Sequence, residues 1–362
     1  MQVMETNILA KKPRLTHIAS EGILIVELPR SAHEVPLSEL RGAFAPIIEQ
    51  MPYDNTLIHP SVEMNLSLKS SSGDFNATPD LSIHLARLSR RRLKPEFVCI
   101  GECVFSQDQD TLLLKLQLEV DAHSEVVMVV MIVLTEARPY HSPEEDSTAW
   151  HIFRRHSECP SFEEFLDMVE IMDEDSTWLG PVKVAGHTWC LISNVNYHVW
   201  VKVGEKKINI NMVSSGTVAA HGTLFPEIDM DTVDVVIHQG LLKIRDAMIQ
   251  FNKRLDPQAD TSLLEVTDVL WDFNWSRCQA RIVNAAKCTA HEHFEDWYSG
   301  CFRGTKHSIE DVDTSGNFDT SAATSQSSDS SQTSLSPKAP PLTRARSRVM
   351  NRDGSPIFLS LG

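Results

Sequence analysis

The chain of 362 residues contains no apolar run near the ~18 residues that cross a bilayer. Its longest, 126–134, reads as a buried sheet strand, so no membrane partner is expected. Positive charge is also short. Thirty-three Lys and Arg face 49 Asp and Glu, a formal net charge of −16, which weakens general affinity for phosphate and excludes a protein that coats nucleic acid. No glycine-rich phosphate loop, internal repeat or heptad array is present. The seven cysteines (Cys99, Cys103, Cys159, Cys190, Cys278, Cys288, Cys301) are scattered and odd in number, with no secretory leader in view. That argues against a disulfide framework and leads us to expect an intracellular compartment, cytoplasmic or nuclear, with free thiols.

What remains is a chain with 42% hydrophobic residues, enough for one large or two modest domains. Residues 1–20 read as a flexible N-terminus, in which Lys11-Lys12-Pro13-Arg14 is a short basic cluster of the nuclear-address kind. Residues 21–140 read as an α/β core. It opens with a strand at 22–28 and a helix at 36–51 (Leu37, Leu40, Phe44, Ile47, Ile48 and Met51 at helical spacing), kinked at Pro46. Strand material follows at 56–59 and 62–69, divided by His59-Pro60. Residues 141–302 read as an extension packed on the core: a short acidic helix at 162–172, a β-hairpin or small sheet at 182–211, and helices at 233–255 and 261–298. Trp189, Tyr197 and Trp200 in the hairpin are either core pairs or a base-stacking platform. Cys288, His291, His293 and Cys301 invite a zinc reading, but their spacing fits no common structural zinc frame. The serine-rich segment 303–362 cannot bury enough apolar surface to fold and is expected to be disordered. It carries seven Lys/Arg against six Asp/Glu, so the body holds essentially all of the negative charge.

The stretch 78–134 organises the rest. Thr78-Pro79-Asp80 leads into a strand-like run, 81–86. A basic turn (Arg87, Arg90, Arg91, Arg92, Lys94) leads to a second run, 97–105. Ser106 and Gln109 match a capping box for a helix whose buried stripe is Leu112, Leu113, Leu116 and Val120. Lys115 sits at the margin of that stripe, where its stem can cover apolar surface while its amine reaches a site. If the two runs pair as an antiparallel hairpin, Asp80 falls beside Glu102 or Cys103, with cross-strand Cβ atoms about 4.5–5.5 Å apart. Two carboxylates that close repel unless a cation lies between them, and Mg²⁺ (or Mn²⁺) accepts such a set. The basic turn then lies roughly 20 Å away, outside the catalytic shell, where it can track a long substrate or be simply solvated.

Pro79-Asp80, a spacer, and Glu102 on the next strand resemble the PD-(D/E)XK nuclease-like superfamily. Its usual lysine position, two residues after the acid, is Val104 here. The run Gly101-Glu102-Cys103-Val104-Phe105-Ser106-Gln107 followed by Lys115 is similar to a branch that moves the lysine onto the following helix. The resemblance covers roughly residues 36–137 and implies a restriction-endonuclease-like α/β core: helix, mixed sheet with the Pro-Asp hairpin, helix, strand. It implies that Asp80 and Glu102 hold Mg²⁺ or Mn²⁺, with Cys103 lending its backbone carbonyl. Lys115 would orient the attacking water and stabilise charge. Gln107 would be a supporting group, as would an acid from the first helix, Glu49 or alternatively Glu39. The implied activity is metal-dependent phosphodiester hydrolysis of DNA or RNA. The alternative is a catalytically inactive nuclease-like protein that binds a protein partner through residues 150–302. The acidic body favours the alternative, although a bound cation can offset it locally.

Overall fold

A computed structural model describes residues 14–19, 22–27, 29–69, 75–88, 94–105, 109–170, 180–211, 216–302, 348–350 and 356–358. The first half of the chain supplies β1 (Arg14–Ile18), β2 (Ile23–Glu27), α1 (Ser31–Gln50), β3 (Ile58–Met64), β4 (Leu68–Lys69), β5 (Phe75–Ala77), β6 (Leu81–Arg87), β7 (Glu96–Phe105), α2 (Gln109–Ala122) and β8 (Met128–Glu136). There follow α3 (Thr148–Phe153), α4 (Phe162–Asp167), β9 (Val182–Val184), β10 (His187–Cys190), β11 (Ile192–Lys202), β12 (Thr217–Phe225), α5 (Asp231–Leu255), α6 (Ser262–Val266) and α7 (Trp275–Phe302). Two short strands, β13 (Arg348–Met350) and β14 (Pro356–Phe358), pair with each other near the C-terminus.

The fold is α/β, built on a six-stranded mixed sheet in the order β12-β11-β8-β7-β6-β3. Only β7 and β8 run parallel, joined across α2; the remaining neighbours are antiparallel. The hairpin expected from the sequence forms, with Leu81 opposite Gly101 and Leu85 opposite Glu96. Asp80 therefore lies at the end of the hairpin away from its loop. β7 is buried along nearly its whole length, as a strand must be when helices cover both faces of its sheet. On one face, Leu37, Leu40 and Phe44 of α1, Ile237 and Leu241 of α5 and Ile282 and Phe294 of α7 share one buried cluster with Cys103, Ile132 and Tyr197. On the other, Leu112, Leu116 and Val120 of α2 pack on Ile100, Val104, Val129, Met131 and Trp200. A second, four-stranded sheet, β2-β1-β5-β4, lies beyond α2, and its Ile18 and Ala77 meet Leu118 and Ala122.

Several expectations are corrected. The first helix starts at Ser31, ahead of Pro36, and runs past both Pro36 and Pro46. Its opening N–H groups, which a helix start leaves unpaired, are met from α7: Ala32 N donates to Thr289 Oγ1 at 2.9 Å, and Ser31 N donates to Glu292 Oε2 at 3.4 Å. His59-Pro60 does not divide the strand, because β3 is the sheet's edge and can carry a proline there. The segment 182–211 is not a separate small sheet. β9 and β10 pair alone, while β11 joins β8 and brings β12 with it, so residues 141–302 supply two strands of the central sheet. The helix expected over 261–298 is broken into α6 and α7. Between them Trp271 turns inward, its indole N–H and that of Trp275 both donating to Asp234 Oδ1, at 2.8 and 2.9 Å. Trp189, Tyr197 and Trp200 are buried core residues, not a base-stacking platform. Arg90, Arg91 and Arg92, the capping residue Ser106 and the segment 303–347 lie outside the described residues. Among the described residues no helix is long and apolar enough to cross a membrane, and none of the seven cysteines forms a disulfide.

His293 of α7 is a fixed part of this core. Its Nδ1 hydrogen-bonds Trp189 O at 2.8 Å, and its ring stacks on Tyr140 with centroids 4.0 Å apart. Burial pushes the imidazole down to about 4. A depressed histidine stabilises the fold fully above its unfolded value and loses that contribution as pH falls towards the folded value. We expect wild type to lose up to about 3 kcal/mol between pH 6.5 and 4 through this residue. In urea titrations across that window, His293→Gln should be less stable at neutral pH and show a shallower acid limb.

A candidate site of buried carboxylates and cations

The hairpin and the helix after it bring three of the expected site residues together. Asp80 immediately precedes β6, and its Oδ2 accepts a 2.8 Å hydrogen bond from Cys103 N of β7. Glu102, next to Cys103 on the central strand, points to the α2 side. There the Lys115 ammonium donates to Glu102 Oε2 at 2.8 Å and to Glu27 Oε2 at 3.1 Å. Asp80, Glu102 and Lys115 are each no more than 1% exposed. Lys115 thus lies inside the helix's buried stripe, together with Leu112, Leu116, Glu119 and Val120.

Five further charged groups complete the cluster, and sequence reasoning missed all of them. Arg14 and Glu27 are cross-strand partners on β1 and β2. The Arg14 guanidinium bridges Asp80 Oδ1 and Glu34 Oε1. Arg14 belongs to the basic cluster expected to be an exposed address, yet the in–out alternation of β1 turns it inward with Thr16 and Ile18. His33 and Glu34 come from the first turn of α1, with His33 Nε2 3.4 Å from Asp80 Oδ2. Glu119 is fully buried one helical turn after Lys115. The available signal for Glu119 was its i+4 spacing from Lys115 on the apolar stripe.

The acid of the first helix that stands in this cluster is Glu34. Glu49 is exposed at the far end of α1, and Glu39 pairs with Arg277 and Arg281 of α7. Starting the helix at Pro36 left Glu34 outside it. Gln107 lies outside the described residues. Cys103 engages Asp80 through its N–H, and burial together with Asp80 pushes its thiol well up.

Burial sets the electrostatics. It disfavours the Lys115 ammonium, but Glu102 and then Glu27 outweigh it and hold the group well above its ordinary value. Burial also lowers His33, and here Asp80 and the hydrogen bond to Glu34 reverse the direction. Burial and the neighbouring Glu119 push Glu102 well above the usual carboxylate range, against the pull of Lys115. Glu119 is pushed up to about 7, again chiefly by burial. The two carboxyls lie within hydrogen-bonding reach of each other. No protein donor reaches Glu102 Oε1 or either oxygen of Glu119.

These residues fit a hard cation only in part. The oxygens of Glu102 and Glu119 have the right chemistry and no donor, whereas both Asp80 oxygens are already engaged. Among the described residues no group of three or more His, Cys, Asp and Glu side chains is placed to hold a metal. The zinc reading at α7 falls with this: His291 turns to Pro160 O and His293 to Trp189 O. Comparison with protein-family models, curated proteins and solved structures finds no match to the chain.

The cluster yields a test of its own energetics. Removing one partner of a buried ion pair leaves the others uncompensated and costs about 3–5 kcal/mol. Lys115→Met should therefore destabilise by about that much in urea titrations. Adding Glu102→Gln to it should recover part of the loss, because one of the stranded carboxyls is then neutral.

Proposed function

We propose that the chain is a metal-dependent phosphodiesterase of the PD-(D/E)XK nuclease-like kind, with the lysine supplied from the helix after the acidic strand. The observation that carries this reading is the 2.8 Å contact between Lys115 Nζ and Glu102 Oε2. A solvated helix lysine would have pointed into water. Here the amine of the expected helix meets the acid of the expected strand, beside the Asp80 of the expected turn. The α1–β3–β6–β7–α2–β8 order also supports a restriction-endonuclease-like core.

In this reading the Lys115 ammonium faces the attacked phosphate and stabilises charge developing on its oxygens. Glu102, fixed on the central strand, holds Lys115 and offers its second oxygen to Mg²⁺ or Mn²⁺. A bound divalent cation would act as a Lewis acid on the phosphoryl oxygen. Asp80 takes part only once Arg14 leaves it. A DNA or RNA strand reaches the site only when the β1–β2 hairpin, which carries Arg14 and Glu27, lifts away.

Two observations favour a second reading, a nuclease-like protein without catalysis. Arg14 already supplies a positive charge at Asp80, so the turn needs no metal to be stable. In addition, Leu263, Val266 and Leu270 are 67%, 80% and 77% exposed, an apolar strip within 150–302 of the kind that protein partners cover.

Cleavage of plasmid, single-stranded DNA and RNA with Mg²⁺ or Mn²⁺ decides between the two. Glu102→Gln and Lys115→Ala should each lower the rate by about 10²-fold or more, with thermal melts confirming that both variants fold. Absence of cutting on every substrate by the wild-type chain would establish the second reading.

A further inference from the structure

We propose that Glu102 and Glu119 together bind one divalent, oxygen-preferring cation, at a position fixed by Glu119 rather than by Asp80. The proposal deepens the nuclease reading and rests on it for the cation's use in cleavage, while binding itself rests on the geometry.

Three observations converge on it. Three of the four carboxyl oxygens of the pair, Glu102 Oε1 and both of Glu119, have no protein donor although both residues are 0% exposed. Buried polar groups are otherwise nearly always satisfied. The cluster is also rich in carboxyls: five (Glu27, Glu34, Asp80, Glu102, Glu119) stand against three basic side chains, Arg14, Lys115 and His33. With every carboxyl ionised and His33 protonated, that composition leaves two negative charges, as many as one dication supplies. Finally, the position between Asp80 and Glu102 that the resemblance implies is blocked. Asp80 Oδ1 holds Arg14, Oδ2 holds the Cys103 N–H, and His33 Nε2 stands 3.4 Å off.

The donor set names the ligand class. Carboxylate oxygens alone select Mg²⁺, Mn²⁺ or Ca²⁺ over zinc or copper. Mg²⁺ needs only one or two protein carboxylates and completes its shell with water. Glu102 divides its carboxylate, with Oε2 on Lys115 and Oε1 left without a protein donor. Glu119 is held one helical turn from Lys115, so strand and helix fix both ligands relative to the amine. Both carboxyls are fully buried, so loading accompanies separation of the β1–β2 layer from α2.

The test is binding of Mn²⁺ to the full-length chain, followed by electron paramagnetic resonance of the free ion, alongside thermal melts with and without Mg²⁺ or Mn²⁺. Wild type should bind one Mn²⁺ and melt higher with metal. Glu119→Gln, which replaces a carboxyl by an isosteric neutral group, should keep or raise its metal-free melting temperature and weaken Mn²⁺ binding at least about tenfold. Asp80→Asn should still bind; if it does not fold, the Glu119→Gln comparison decides alone. Equal Mn²⁺ affinity in Glu119→Gln and wild type overturns the proposal, as does a wild type that binds no Mn²⁺. Cleavage measured on the same preparations separates the two readings. Glu119-dependent binding without cleavage by wild type removes the nuclease function and leaves the cation site. Metal-dependent cleavage untouched by Glu119→Gln does the reverse.

Discussion

A lysine ammonium held at 1% exposure survives only because carboxylates surround it. Moving such an ion out of water costs several kcal/mol even after relaxation. The return comes from charges at hydrogen-bond distance, here Glu102 and Glu27. Much of the architecture serves that contact. β7 must be central and covered on both faces to keep Glu102 dry. α2 must cross it at the register that points Lys115 inward, and the small sheet must close the far side with Glu27. Each element is ordinary by itself, but the ion cluster ties three layers of the fold to one point.

That tie explains which parts were legible beforehand. Asp80, Glu102 and Lys115 could be found because local rules place them: a Pro-Asp turn, a strand of period two, a helix of period 3.6. That Asp80 falls beside Cys103 followed from one hairpin. Arg14, Glu27, His33, Glu34 and Glu119 were not found, because each looks locally like something else. Arg14 sits in a basic tetrapeptide, Glu27 ends a short strand, and Glu34 precedes a proline that looked like a helix start. Glu119 resembles any solvated helix acid until Lys115, one turn before it, is placed inside the stripe. Burial of a charge is decided by what packs over it, and that covering sheet comes from distant residues.

The same logic applies to the second half of the chain. Its alternating β-formers were visible, and so was the helix at 233–255. That β11 would dock on β8 was not, since a strand's apolar alternation states that it is half buried and not against which neighbour. The docking makes the later residues part of the central sheet. The nuclease-like reading therefore concerns a core that is completed from the C-terminal side, with α5 and α7 packed over it.

The pairing of Arg14 with Glu27 across β1 and β2 carries one more implication. This hairpin brings one cation and one anion into the cluster. If it lifts, both leave together, and the charge imbalance of the groups left behind is unchanged. The gate is electrically silent as a unit: opening it demands the separation of contacts but no net transfer of charge. Screening by salt would then act on the individual pairs as they part and not on the hairpin as a charged lid. A substrate carrying negative charge would meet, behind that gate, an excess of carboxylate that only a cation can mask.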